Sequence, residues 1–191
     1  YMSLLKSSRV LDYSKKSKKY VTNFNLLPMP PFYKSNISDT KVMDVLFVGS
    51  INERRKIAFT ILQNQGVKIK IGFKIFGNDL FQYIQKSKLF IDINYHDNDS
   101  IFNMFRFCLC ANTGTIYTGE VGVTSEYPEV EELLGMTITR DIETLPNIIT
   151  KLLSDKEYWL NALNVQRNIA EKLEAKFQIF FNLSLKISVL F

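Results

Sequence analysis

The sequence has only two cysteines and one histidine among 191 residues, and these shortages exclude several kinds of site. Cys108 and Cys110 lie two positions apart on a predicted helix, so their side chains diverge by about 200° and do not readily form a disulfide. One histidine and two thiols do not make a metal cluster without carboxylate partners, and no C-x-x-C or H-E-x-x-H spacing occurs. We therefore predict no metal site, and we expect small, buried thiols in a reducing compartment.

Long apolar runs and targeting signals are also missing. No run of about 18 apolar residues occurs, and the N-terminal region has neither the charged segment nor the cleavage site of a secretory signal. We therefore expect a cytoplasmic protein. The sequence begins with Tyr1 instead of methionine, which suggests a segment of a longer protein.

The familiar nucleotide-binding fingerprints are absent as well. Neither G-x-G-x-x-G nor the P-loop spacing occurs, so ATPase and nicotinamide functions lose their usual support. The 24 Lys and Arg against 19 Asp and Glu leave a net charge of +5, which suits an anionic ligand. Basic residues cluster only at 15–19, where a solvated helix face is the simpler explanation. We predict no nucleic-acid partner.

The composition nevertheless predicts a folded protein, because 46% of the residues are hydrophobic. From Met43 onward, buried strand patterns alternate with helical patterns. We predict strands over 43–48, 67–76, 88–95, 115–118 and near 136–139, with helices over 52–65, 79–87, 99–112, 130–134 and 142–153. This order indicates an α/β fold with a Rossmann-like, doubly wound parallel sheet flanked by helices. Ligands of such sheets bind beyond the carboxyl ends of the strands.

The two ends of the chain differ in character from this middle part. We interpret 1–40 as a linker and the remnant of a preceding domain, with a helical pattern around 8–21 and a proline-rich loop over 23–32. Residues 41–155 form the Rossmann-like domain, and 156–191 form a helical region with an apolar tail. The alternation of apolar and polar residues over 181–191 predicts a strand that needs a covering partner. A missing domain or a second copy is favoured over a membrane.

The first candidate site follows the first strand of this domain. Gly49 lets a backbone approach a ligand, and Arg54 and Arg55 are suited to clamping phosphate oxygens. The alternative is that both arginines are surface charges beside Glu53.

The second candidate site is the predicted helix over 99–112. Asp99, Asn103 and Arg106 fall at i, i+4 and i+7, opposite an apolar stripe of Phe102, Phe105 and Leu109. Arg106 can reach back to the first turn, where unpaired N–H groups favour an anion. A guanidinium among phenylalanines needs an anionic partner, and a ligand is favoured over the internal alternative, Glu120.

The polar residues near this helix have two interpretations each. Asp99 and Ser100 are favoured helix N-cap types, which is compatible with ligand contact. His96, just after the third strand, is either a polar contact at the edge of the sheet or a solvated loop residue.

Two motifs resemble the C-terminal half of GT-B-type glycosyltransferases, which binds the nucleotide sugar. The first motif is Asp-Val-Leu-Phe-x-Gly-Ser-x-Asn-x-Arg-Arg over 44–55, and the second comprises 94–96, 100–106 and 116–120. Segments 10–14 and 27–31 resemble the connection between the two halves of such enzymes, and the resemblance covers about residues 8–175.

The resemblance implies a set of donor-binding residues. Positions near phosphate are Gly49, Ser50, Arg54 and Arg106, and positions around the rest of the donor are His96, Ser100, Asn103 and Glu120. Asn52, Arg55 and Asp99 complete the predicted substrate-binding set. Asp99 stands where many retaining members have the first of two glutamates, but eight residues later the sequence has Phe107.

The resemblance implies the donor-binding half of a glycosyltransferase, with a nucleotide sugar as substrate and no cofactor. Activity would need an N-terminal acceptor-binding half, which is largely absent, and no catalytic base is assigned. The alternative is a non-catalytic α/β module derived from such a half, which binds proteins through 15–19 and 181–191.

Overall fold

A computed structural model describes residues 10–12, 24–26, 40–96, 102–121 and 127–188. Two short strands, β1 (Val10–Asp12) and β2 (Phe24–Leu26), pair in parallel. The main sheet contains β3 (Met43–Val48), β4 (Ile69–Gly72), β5 (Ser87–Asp92), β6 (Ile116–Glu120) and β7 (Ile138–Thr139). The helices are α1 (Glu53–Asn64), α2 (Gly77–Gln85), α3 (Met104–Thr113), α4 (Leu145–Ser154) and α5 (Lys156–Ser188).

The five strands of the main sheet are parallel and lie in the order β4-β3-β5-β6-β7. The chain moves outward from β3 to β4 and then crosses back to β5 on the other side of β3. This reversal creates a topological switch point between β3 and β5, where ligands of doubly wound sheets bind. The predicted fold class is confirmed.

The central strands of the sheet are buried on both faces, which explains why β3 and β5 contain continuous apolar runs. One core places Val45 and Phe47 of β3 against α1, α4 and the first part of α5. The other places Leu46 and Val48 of the same strand against α2, α3 and the middle of α5. Since successive side chains of a strand point to opposite faces, β3 contributes to both cores.

Several sequence predictions need correction in the secondary structure. The backbone is helical through Ser188, so the strand predicted over 181–191 is wrong up to that residue, and 189–191 lie outside the described part. Val10–Asp12 and Phe24–Leu26 are strands where a helical pattern and a loop were expected. Short 3-10 helices occupy Pro128–Leu133 and Ile142–Thr144. Within the described residues, no helix has the combined length and apolarity needed to cross a bilayer.

Lys41 forms hydrogen bonds with the end of α2, the end of α3 and the residue before β6, near the amino ends of the strands. Its Nζ donates to the Gln85 carbonyl at 2.9 Å, the Thr113 carbonyl at 2.8 Å and the Thr115 hydroxyl at 2.9 Å. Burial lowers the pKa of Lys41 from its ordinary 10.5 to about 8.

This lowered pKa predicts a pH-dependent stability. Between about pH 8 and about pH 10.5 the unfolded chain holds a proton that the folded chain has released, so the free energy of unfolding rises with pH. We expect the wild type to gain stability relative to Lys41→Met across that interval, measured by urea unfolding of both proteins. Groups that both proteins share cancel in the difference. A difference that stays constant with pH would contradict the prediction.

Candidate functional site

The loops after β3 and β5 meet the end of β6 at the carboxyl edge of the sheet. The side-chain amide of Asn52, after β3, donates to the Tyr95 carbonyl after β5 at 2.7 Å. Arg54 Nη1 donates to the Asn94 carbonyl at 3.2 Å, and Arg54 Nη2 forms an ion pair of 2.5 Å with Glu120 Oε1 at the end of β6. These contacts join the loops after β3 and β5 to the end of β6 at the switch point, and we call this region the crevice.

Two helices begin at this crevice, and each starts with an asparagine cap. Asn52 Oδ1 accepts from the Arg55 backbone N–H at 3.0 Å, and Asn103 Oδ1 accepts from the Arg106 backbone N–H at 3.3 Å. The N-termini of α1 and α3 therefore both lie at the carboxyl edge of the sheet, where their dipoles favour an anion.

The position of Asn103 corrects the predicted helix over 99–112. Helix α3 begins at Met104, so Asn103 precedes the helix and does not share a helical stripe with Arg106. The predicted apolar stripe is not one buried face. Phe102 is buried against Phe107 and Tyr117, whereas Phe105 is exposed. Asp99 and Ser100 lie outside the described residues.

Arg55 is a structural residue of the crevice. Its guanidinium donates to the Ser50 carbonyl at 2.7 Å and to the Ile93 carbonyl through Nε at 2.9 Å and through Nη2. It also lies 5.1 Å from the ring centroids of both Phe47 and Tyr95. Burial lowers the pKa of Arg55. These contacts hold the loop after β3 against the end of β5.

Arg54 and Glu120 form the most enclosed charged pair of the crevice. Their side chains are 18% and 7% exposed. Glu120 Oε1 contacts Arg54, whereas Glu120 Oε2 is buried and has no hydrogen-bond partner in the described part of the chain. Burying a carboxylate oxygen without a hydrogen-bond donor costs free energy. Glu120 Oε2 is therefore a ready acceptor for a ligand hydroxyl or amide.

Arg106 has an internal partner, and it is not the expected one. Arg106 Nη1 pairs with Asp92 Oδ1 at 3.2 Å, while the Asp92 Oδ2 accepts from the Tyr117 hydroxyl at 3.0 Å. The guanidinium lies 5.5 Å from the Phe90 ring centroid, and its side chain remains 24% exposed. Burial and the neighbouring Asp92 raise the pKa of Tyr117, which therefore stays a neutral donor.

The remaining described residues of the predicted set, Gly49, Ser50 and His96, lie in the loops after β3 and β5. The Gly49 backbone N–H donates to the Gly72 carbonyl at 2.9 Å, which joins the start of the loop to β4. Ser50 is exposed, and the exposed His96 ring packs edge-on against Tyr95 at a centroid distance of 4.8 Å. Ligand contact by any residue of the predicted set stays a prediction.

Sequence reasoning missed the role of Asp92. It ends a buried strand and holds both Arg106 and Tyr117, although neither is its neighbour in the chain. The available signal was the position of Asp92 at the carboxyl end of a parallel strand. The carboxyl ends of parallel strands lie at one edge of the sheet, where ligands bind.

The comparisons with known proteins concern the fold. No protein-family model matches the chain, and no curated protein matches it by sequence. Among solved structures, it is similar to a mutant of Thermobaculum terrenum O-GlcNAc transferase, with 12% identity, a TM-score of 0.58 and coverage of 92% of this chain and 42% of that one. It is also similar to T4 phage BGT in complex with UDP and Mn²⁺, with 16% identity, a TM-score of 0.61 and coverage of 92% and 59%.

A third structure is the DNA modifying enzyme beta-glucosyltransferase, solved in the presence and absence of uridine diphosphoglucose. It has 13% identity, a TM-score of 0.62 and coverage of 90% of this chain and 62% of that one. The chain thus spans 42% to 62% of the length of these three structures. The likeness confirms the expected fold, that of a GT-B-type C-terminal half.

Proposed function

We propose that the chain is the donor-binding half of a glycosyltransferase and that the crevice at the switch point binds a nucleotide sugar. The observation that carries this proposal is Glu120 Oε2, a buried carboxylate oxygen without a hydrogen-bond donor at the carboxyl end of β6. A nucleotide sugar carries ribose and sugar hydroxyls that are able to donate to such an oxygen. One of the similar structures is a complex with UDP and Mn²⁺, and another was solved in the presence and absence of uridine diphosphoglucose.

The electrostatics of the crevice suit the diphosphate of such a donor. The N-termini of α1 and α3 supply backbone N–H groups and positive dipole ends. Arg54 and Arg106 add two guanidiniums that are partly exposed and held in position by Glu120 and Asp92. A diphosphate oxygen that binds either guanidinium would share it with the carboxylate that already positions it.

In the intact enzyme, transfer would break the bond between the anomeric carbon and the diphosphate. The crevice would contribute positive charge at the departing diphosphate, because charge develops on its oxygens in the transition state. The acceptor and the group that activates it would come from the other half of the enzyme. We therefore assign donor binding to this chain and assign no catalytic base.

The proposal predicts saturable binding of a nucleotide diphosphate. We expect calorimetric titration with UDP, GDP and their sugar conjugates, each with and without Mn²⁺, to give binding by one nucleotide class. Arg106→Ala and Glu120→Gln each remove one charged contact and should weaken binding about ten- to a hundredfold. A folded chain that binds none of these compounds would contradict the proposal.

Two control variants separate ligand contact from folding. Lys88→Ala removes a partly exposed ammonium that pairs with Asp44 at 2.8 Å near the amino ends of the strands, opposite the crevice, and should leave binding unchanged. Asp92→Asn removes the negative charge beside Arg106 and should leave donor binding equal or tighter if Arg106 contacts phosphate. Weaker binding by Asp92→Asn in a folded chain would show that Arg106 needs Asp92 to position it for the diphosphate.

A non-catalytic interaction module is the competing function. The internal ion pairs of Arg54 and Arg106 favour it, because each guanidinium already has a carboxylate partner. The titration distinguishes the two functions, since a module of this kind folds normally and shows no nucleotide affinity.

A further inference from the structure

Strand β4 and the bend that follows it carry exposed basic and apolar side chains that are not in the predicted donor-binding set. We call this surface the basic-aromatic edge, and it consists of the exposed residues Lys68, Lys70, Ile71, Phe73, Lys74 and Phe76. It lies at one end of the sheet order, so β4 pairs only with β3 among the described strands.

Two phenyl rings of this edge project into solvent from a tight turn. Phe73 is 63% exposed and Phe76 is 75% exposed, whereas Ile75 between them packs against the core. Lys74 has a φ of 57°, a left-handed conformation that is uncommon for a residue with a side chain. This backbone reversal turns Ile75 inward and keeps both rings outside.

Lysines outnumber acidic residues around the two rings. Residues 66–79 contain three lysines and one acidic residue, Asp79. Lys74 Nζ lies 5.4 Å from the Phe73 ring centroid, and no described acidic side chain forms an ion pair with Lys68, Lys70 or Lys74. Lysines on an edge strand also discourage pairing with another sheet, but that role leaves the exposed rings unexplained.

We propose that the basic-aromatic edge binds the surface of an anionic lipid bilayer. Phenyl rings at the tip of a turn are able to enter the boundary between headgroups and acyl chains, and the flanking lysines attract anionic headgroups. Lipid is favoured over nucleic acid because an aliphatic side chain, Ile71, accompanies the rings and because the edge contains no arginine. This binding is independent of the proposed donor site.

Vesicle sedimentation with the 191-residue chain tests this proposal. We expect binding to phosphatidylcholine vesicles that contain roughly 30% phosphatidylserine, with little binding to pure phosphatidylcholine. Binding should weaken when NaCl is raised from about 0.1 M to about 0.5 M, because salt screens the lysines.

Variants assign the binding to this surface. The double variant Phe73→Ser/Phe76→Ser should lower the partition coefficient at least about tenfold, and Lys70→Gln/Lys74→Gln should remove most of its dependence on phosphatidylserine. Ile57→Ser is the matched control, since Ile57 is an equally exposed apolar residue on α1 at 63%. Each ring is also replaced singly, and circular dichroism confirms that every variant is folded.

Three results would overturn the proposal. Equal vesicle binding by the wild type and the folded ring variants would assign lipid contact to another part of the chain. Displacement from vesicles by a single-stranded DNA oligonucleotide that binds the same lysines and rings would assign the edge to nucleic acid. No binding to the anionic vesicles would exclude lipid contact. Glu120→Gln should bind the vesicles as the wild type does. A failure of the proposed nucleotide-sugar binding is therefore distinguishable from a failure of the proposed lipid binding.

Discussion

Gly119→Ala should lower the free energy of unfolding by about 3 kcal/mol or more, because the added methyl group would collide with a neighbouring strand. Gly119 pairs with Asp92 across β5 and β6 and has a φ of 156°. A Cβ at this position would lie 2.9 Å and 3.0 Å from the backbone C and N of Asp92, and closer still to its carbonyl oxygen. These atoms belong to a buried strand and have little freedom to move. Urea unfolding monitored by circular dichroism measures the loss.

The same substitution at Gly135 is the matched control. Gly135 also has a positive φ, 74°, but a Cβ there would meet no atom within 4 Å. Gly135→Ala should therefore cost only about 1 kcal/mol, from backbone strain alone. Equal losses for the two variants would show that strain, and not the collision with Asp92, determines the effect at Gly119.

The collision at Gly119 also has a functional consequence. Gly119 precedes Glu120, and Asp92 holds Arg106, so a displacement of β6 from β5 moves both sides of the proposed donor site. We expect any Gly119→Ala protein that folds to bind the nucleotide more weakly than the wild type.

Gln166→Leu should destabilise the protein by about 3 kcal/mol, because it leaves two buried backbone groups without partners. The wholly buried side-chain amide of Gln166, on α5, bridges the backbone of β6. Its Oε1 accepts from the Tyr117 N–H at 2.7 Å, and its Nε2 donates to the Thr115 carbonyl at 2.7 Å. Leucine has a similar volume, so the loss reports mainly on the hydrogen bonds.

Gln178→Leu on the same helix is the control for this prediction. Gln178 is exposed, so its replacement should change the free energy of unfolding by less than about 0.5 kcal/mol. Thermal and urea unfolding of both variants measure the difference. A Gln166→Leu protein as stable as the wild type would show that β6 does not need this bridge.

The regular elements were predictable where hydrophobicity and local signals agreed. The strand at Met43–Val48 was predicted with its exact bounds, because a strand buried on both faces is a continuous apolar run. The helix predicted over 52–65 corresponds to α1, Glu53–Asn64, so each end was predicted to within one residue.

Prediction failed where a local pattern had two meanings. The alternation over 181–191 satisfies strand periodicity, yet the backbone continues as α5 through Ser188. At Asn103 the helical spacing was extended through a residue that caps the helix instead. Asparagine is a favoured cap, and a cap adopts a non-helical conformation.

By itself, the sequence determined the order of strands and helices between residues 43 and 153, the doubly wound parallel class and the segments at the carboxyl edge of the sheet. These properties depend on side-chain periodicity and on turn residues, which act over a few positions. Only the tertiary structure decided which charges meet. Arg54 pairs with Glu120 across 66 positions, and Arg106 pairs with Asp92 instead of Glu120. Ion pairs depend on distances of a few ångströms between strand ends, and chain spacing does not specify those distances.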